Sequence, residues 1–256
     1  MAPKFISLLD PSGAILIPSG GGGGGPIDPG TLNPLEYYDS PDFATGAAPT
    51  YNAWPSKVGG VQLDNGYTEW GRNGALWDGV RTAEGVYNYG AGSAFRWARA
   101  GDVLGKGGDK TLVVVGRSTA FTGGRLTFAQ AGNGMPQCVL TGLPGQLEFW
   151  ARDSTGTAVT KLLTHAGIAE NVRLMAAVHS AADGTVSMSV NGELWSEYAG
   201  AYPAGSFSFN PSGSGMFGWG QFTVYGWQGQ VRAALVFPGK LTNAQLSGIA
   251  SFYNVT

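Results

Sequence analysis

The chain is short of charge, of histidine and of cysteine, and each shortage excludes something. Asp, Glu, Lys and Arg make up 12% of its 256 residues, about half the ~25% usual in soluble domains. The net charge is −2 and no run of Lys or Arg occurs, so the electrostatic footprint of a nucleic-acid-binding surface is missing. Cys138 stands alone, which excludes an intrachain disulfide. Within Gln137–Leu140 it reads as a small core residue of a strand. His165 and His179 are the only histidines, and no Gly-x-Ser-x-Gly elbow is present. Nucleophilic triads therefore find no members. No run of 18 apolar residues exists, so no transmembrane helix and no membrane partner is expected. Met1–Asp10 is faintly signal-like, but Asp10-Pro11-Ser12-Gly13 interrupts its apolar run too early. The expectation is a protein made and used without secretion.

Glycine is abundant instead: 43 residues, well above the ~7% average. Low charge leaves a weakly solubilised surface. That fits either a loop-rich β protein or a protein packed against partners. Two regions differ in composition. Residues 1–30 carry two short apolar runs, Phe5–Leu9 and Ala14–Pro18, then six glycines, Gly20–Gly25. Polyglycine buries nothing and is maximally free, so it reads as a flexible tether. The runs before it (Phe5, Ile6, Leu8, Leu9, Ile15, Leu16 and Ile17) are too short for a core. They make either a disordered tail or an anchoring, strand-like arm that pairs with a neighbouring subunit.

Residues 31–256 read as one globular body of short strands between Gly-containing turns, with almost no helix. Thr111–Arg117 is a continuous β-branched run, as in a strand buried on both faces. Val172–Val178 alternates, with Val172, Leu174, Ala176 and Val178 inward. Thr185–Val190, Asn191-Gly192 and Glu193–Tyr198 spell a hairpin, since Asn-Gly is the favoured type I′ pair. The most informative stretch is the last. Trp227, Val231, Ala233, Leu235 and Phe237 fall on one face of a strand, and Gln228, Gln230 and Arg232 on the other. Pro238-Gly239 breaks it. Thr242 and Gln245 have capping-box spacing, Leu241 and Leu246 can form a staple, and Leu246, Ile249, Ala250 and Tyr253 form one stripe of a short helix.

Four of these segments together resemble the concanavalin A-like lectin/glucanase superfamily, in its laminin-G-like (LamG) branch. They are Leu76-Trp-Asp-Gly-Val80, Thr111–Arg117, the Val172–Tyr198 series with its Val-Asn-Gly hairpin, and Val231–Tyr253 with its Leu-Thr-x-Ala-Gln-Leu helix. The resemblance covers about residues 31–256. It implies an all-β, two-sheet antiparallel jelly-roll sandwich with one short C-terminal helix, preceded here by the extended arm. Such folds host many functions. Members include sugar-binding lectins, glycan hydrolases, adhesion modules and virion proteins of tailed phages. A Gly-rich arm without disulfide or signal peptide looks most like the phage group.

Candidate chemistry is sparse. The superfamily's glucanases carry Glu, Asp, Glu at alternate strand positions, because hydrolysis needs two carboxylates flanking the glycosidic bond. Glu193 and Glu197 match the outer two by spacing, but Trp195 replaces the central acid. The plainer reading is a hairpin strand with two solvated glutamates. Asp64-Asn65-Gly66, Asp153 and Asp183-Gly184 could suggest loop-bound Ca²⁺ of the kind relatives hold. They read first as turn chemistry, and no metal ligand or cofactor is assigned. Aromatics remain. Trp150 falls on the polar face of its strand with Glu148 and Arg152, and Trp195 falls with Glu193 and Glu197. Both are candidate sugar-stacking platforms, against the plainer role of packing in a subunit contact. The expectation is a non-enzymatic structural protein of a tailed-phage virion, localised to the particle and partnered by other virion proteins and copies of itself. The alternative is a carbohydrate-binding adhesin whose partners are surface glycans; a glycan hydrolase ranks third.

Overall fold

The computed structural model describes residues 25–43, 53–58, 62–64, 80–82, 85–88, 95–97, 109–118, 125–129, 137–143, 146–152, 158–164, 173–180, 185–199, 215–216 and 229–255. The arm residues Phe5 to Ile17 lie outside them. The strands in chain order are β1 (Glu36–Asp39), β2 (Ala53–Pro55), β3 (Gln62–Asp64), β4 (Val80–Thr82), β5 (Gly85–Asn88), β6 (Phe95–Trp97), β7 (Lys110–Ser118) and β8 (Arg125–Ala129). Then come β9 (Gln137–Leu143), β10 (Gln146–Arg152), β11 (Ala158–Thr164), β12 (Arg173–Ser180), β13 (Thr185–Val190), β14 (Glu193–Ala199), β15 (Gly215–Met216) and β16 (Gly229–Phe237). One α-helix, α1 (Asn243–Phe252), follows.

All pairings among the described residues are antiparallel. The large sheet runs β14-β13-β12-β7-β16-β5-β4, with β1 also on β16. Two four-stranded sheets, β11-β10-β9-β8 and β15-β6-β3-β2, adjoin where β15 lies beside β8. The architecture is the expected all-β open sandwich with one short helix. Asp64, expected in a loop, ends β3 and pairs with Ala53 and Arg96.

β16 is buried on both faces, not on one as its alternating pattern suggests. Gln230, Ala234 and Val236 are as inaccessible as Ala233, Leu235 and Phe237. Its register against β7 shifts between Val231, opposite Gly116, and Ala233, opposite Val115, leaving Arg232 as a bulge. A bulge adds one residue and so reverses the facing of everything beyond it. Val231 therefore shares a face with Ala234 and Val236, not with Leu235. Gly116 is required here, because a Cβ would sit 2.5 Å from the Gln230 carbonyl oxygen.

On one face of the sheet Tyr37, Val113, Val115, Leu174, Ala176, Ala233, Leu235 and Phe237 form a cluster with Leu246, Ile249, Ala250 and Tyr253 of α1. The helix starts as its sequence predicts. Thr242 accepts from the Gln245 backbone at 3.2 Å and Gln245 Oε1 accepts from the Thr242 backbone at 2.9 Å. Leu241 packs against the same cluster. The preceding turn is pinned from β7: Thr111 Oγ1 donates to the Gly239 carbonyl at 2.7 Å and accepts from Leu241 N–H at 2.9 Å.

Two further segments seat on the helix. At the β13–β14 tip, Asn191 and Gly192 have φ of 54° and 85°, the pair of left-handed residues that a type I′ turn needs. Ser247 donates to the Asn191 carbonyl at 3.2 Å. At the other end, Ile27 N–H donates to the Gly248 carbonyl at 2.9 Å. The Ile27 side chain fills the space a Cβ at Gly248 would need. Asp28 caps the 3-10 turn Pro29–Leu32 by accepting from Gly30 N–H at 2.9 Å. Residues 27–30, read from sequence as the end of the arm, are thus docked on the body.

Thr111→Val keeps the side-chain shape but strands a part-buried carbonyl and a part-buried N–H. Urea unfolding should show a loss of about 1–3 kcal/mol, while Thr111→Ser should retain most of the stability. Equal stability of the valine variant and the parent would refute the pinning role.

Candidate functional site

The polar chemistry of the described residues gathers where β1, the segment after β2 and the end of α1 meet. Residues two apart on a strand share a face, so Tyr37 and Asp39 both face the helix. Tyr253 ends the helical stripe and reaches them: its hydroxyl lies 2.8 Å from that of Tyr37, and both hydroxyls lie 3.5 Å from the Asp39 carboxylate. Lys57 Nζ pairs with Asp39 Oδ2 at 2.7 Å and stands 4.9 Å over the Tyr37 ring. Lys57 is held by its own backbone N–H, which donates to the Tyr37 carbonyl at 2.8 Å. Asp42 lies 3.7 Å from the same ammonium. Beside this cluster, on the opposite face of β1, Tyr38 meets Trp54 edge-on, and Trp54 Nε1 donates to the Asp39 carbonyl at 2.8 Å.

Burial pushes the Tyr37 phenol up to about 12, against the opposing effect of its bond to Tyr253. Burial, reinforced by the Asp39 charge, raises Tyr253 further. Burial works against the Lys57 ammonium, but the hydrogen bond and charge of Asp39 outweigh it, and its pKa is raised. The arrangement holds three segments together around one neutralised carboxylate, with both phenols kept protonated. It offers no activated nucleophile. The Tyr-x-Asp spacing in β1 was its only sequence signal, and nothing in the sequence joined it to Tyr253, more than two hundred residues away.

The sequence-predicted site residues lie elsewhere. Trp150 sits centrally in β10, paired with Val139 and Thr160. In β14, Glu193 opposes Val190 and Leu194 opposes Ser189, after which Ser196 opposes Met188 and Glu197 opposes Ser187. Trp195 is the extra residue of this bulge. The shift puts Glu193 on the register face of Met188 and Val190, and Glu197 on that of Ser187 and Ser189. The apparent alternate-position match to a glucanase strand is therefore undone: the two acids stand on opposite faces. Trp195 correspondingly does not share one face with both. The strands of the two tryptophans do come to one flank, because β11, next to β10 and at its sheet's edge, lies against edge strand β14. Among the described residues, no group of three His, Cys, Asp or Glu could hold a metal ion, and Asp153, Asp183 and His165 lie outside them.

No family model matches the chain, and no curated protein is significantly similar to it. Solved structures are. The binding domain of botulinum neurotoxin serotype D in complex with N-acetylneuraminic acid matches at a TM-score of 0.60 and 11% identity, over 86% of this chain and 50% of that one. A second structure of the botulinum neurotoxin serotype D binding domain matches at 0.58 and 11%, over 86% and 51%. The chain thus spans about half the length of these toxin domains. A Ruminococcus gnavus sialidase carbohydrate-binding module of class CBM40, bound to α2,3-sialyllactose, aligns over 57% of this chain and 84% of its own, with 15% identity and a TM-score of 0.46. The likeness to the toxin domains is one of fold: an all-β, antiparallel sandwich. The similarities named here carry no signal particular to the LamG branch or to phage virions.

Because the folded phenol pKa values lie above the unfolded value of about 10, the stabilisation is complete below pH 10. It is lost as pH rises through about 12. Unfolding free energies from denaturant titrations at pH 8 to 12 should fall across that window, by up to about 1.4 kcal/mol per pH unit per tyrosine. The fall should be shallower in Tyr253→Phe. An unchanged slope in that variant would remove Tyr253 from the account.

Proposed function

We propose that this chain is a non-enzymatic glycan-binding module that recognises surface carbohydrate. The observation that carries the reading is the likeness, across 86% of the chain, to a domain solved with a bound sugar. The flank where β10, β11 and β14 meet is the proposed platform. It gathers the strands of two tryptophans, one in the middle of a sheet and one at a bulge, and bulges commonly re-aim side chains beside binding sites. A glycan array should identify a ligand for the parent protein. Trp150→Ala or Trp195→Ala should then cost 2 kcal/mol or more, about 30-fold in Kd. A parent protein that binds no glycan defeats the reading.

The polyglycine tether favours a second reading: a surface or tail-associated subunit of a tailed-phage virion, anchored through Phe5, Ile6, Leu8, Leu9, Ile15, Leu16 and Ile17. Glycan recognition and anchoring are compatible roles for one subunit. Because Ile27 and Pro29 are docked, the informative deletion stops at residue 24. It should leave Tm within about 2 °C of the parent, less than 1 kcal/mol for a domain of this size, and abolish incorporation into particles. Retained incorporation counts against the anchor.

A further inference from the structure

The β13–β14 tip carries a pair of residues with a chemistry of its own. In an Asn-Gly pair the glycine amide nitrogen can attack the asparagine side-chain carbonyl carbon, because no side chain follows to hinder it. The side-chain amide leaves as ammonia with the proton of the attacking nitrogen, and a cyclic imide closes. Water then opens the imide at either carbonyl. The product is aspartate or an isoaspartyl linkage, whose backbone is one carbon longer. Attack needs rotation about the Asn191 side chain and about its Cα–C bond. Both are restrained here. Asn191 Oδ1 accepts from Leu174 N–H at 2.9 Å, and Asn191 N–H donates to the Leu174 carbonyl at 2.8 Å. Ser247 of α1 holds the Asn191 carbonyl at 3.2 Å, in the peptide plane that would have to turn. Gly192 is buried, its φ of 85° lies in the left-handed region that favours glycine, and a Cβ on it would collide with Ser247. The turn demands this labile pair, and the helix laid across it keeps the pair from reacting.

We propose that Asn191 is a self-modification site locked by α1: it persists as asparagine while Ser247 is docked on it, and passes through the imide to the isoaspartyl form when the helix lifts off. The extra backbone carbon displaces the Asn191 carbonyl from Ser247, so the modified tip does not re-dock. Aspartate, the other product, keeps an oxygen acceptor for Leu174 N–H and is tolerated. A brief release of the helix, of the kind local unfolding allows, thereby becomes a permanent change at the head of β14. The inference goes beyond glycan binding and does not depend on it.

The test is incubation of the full chain at mildly alkaline pH, followed by peptide mass spectrometry and enzymatic methylation of isoaspartyl residues. Native protein should convert at Asn191 at least about tenfold more slowly than the same protein in urea. Ser247→Ala should raise the native rate about fivefold, the gain in open tip expected from one lost hydrogen bond. The rise should be confined to Asn191 and spare the chain's other Asn-Gly pairs, at Asn65, Asn73 and Asn133. An equal rise at all of them would mean general unfolding and overturn the lock. Equal rates in native and urea-unfolded protein, or an unaltered rate in Ser247→Ala, overturn it as well. Asn191→Asp should keep Tm within about 2 °C of the parent, whereas protein carrying isoaspartate at this position should unfold at lower urea concentration. Isoaspartyl protein as stable as the parent would overturn the permanence of the change.

Discussion

Much of what is described in this molecule leans on the two-sided burial of β16, whose ladders on both edges are broken at the Arg232 bulge. A strand with no face in water has no solvent to satisfy its backbone, so both edges must be occupied along its length. β7 takes one edge. The other is divided: β5 pairs with Gly229–Val231, and β1 pairs with Ala233–Val236. This division places the first described strand of the chain beside the last. It also puts Tyr37 and Asp39 under α1, where Tyr253 and Lys57 can close around them.

The local grammar of the C-terminal half was legible. The Thr242–Gln245 box, the Leu246–Ile249–Ala250 stripe, the Asn191-Gly192 turn and the two-sided burial of Thr111–Val115 follow from short-range rules, and the structure obeys them. What could not be read were the bulges, at Arg232 and Trp195 and, in β8, at Phe128. A bulge leaves the spelling of a strand unchanged and alters only the count against its partner, which a single sequence does not contain. The Glu193–Glu197 spacing, and the supposed polar face of β16, both failed for that reason. The Tyr37–Tyr253 contact was hidden differently, since no periodicity links residues at opposite ends of a chain.

The candidate site separates support from recognition. The buried cluster of Tyr37, Asp39, Lys57 and Tyr253 is occupied with its own neutralisation, whereas the proposed platform lies where β11 and β14, each at the edge of its sheet, meet. This is the division expected of a fold that hosts many binding functions: the sheet register is set by the core, and specificity is added at edges and bulges.

The docking of Ile27 on Gly248 has a mechanical side. Tension drawn through the six glycines ahead of it would not peel β1 from its neighbour residue by residue. It would meet first a hydrogen bond to the middle of α1 and an isoleucine seated where that helix has no side chain. The load would pass into the cluster beneath the helix as a whole. A pull on the chain ahead of Ile27 would so be met by the helix and the cluster beneath it before it reached the sheet.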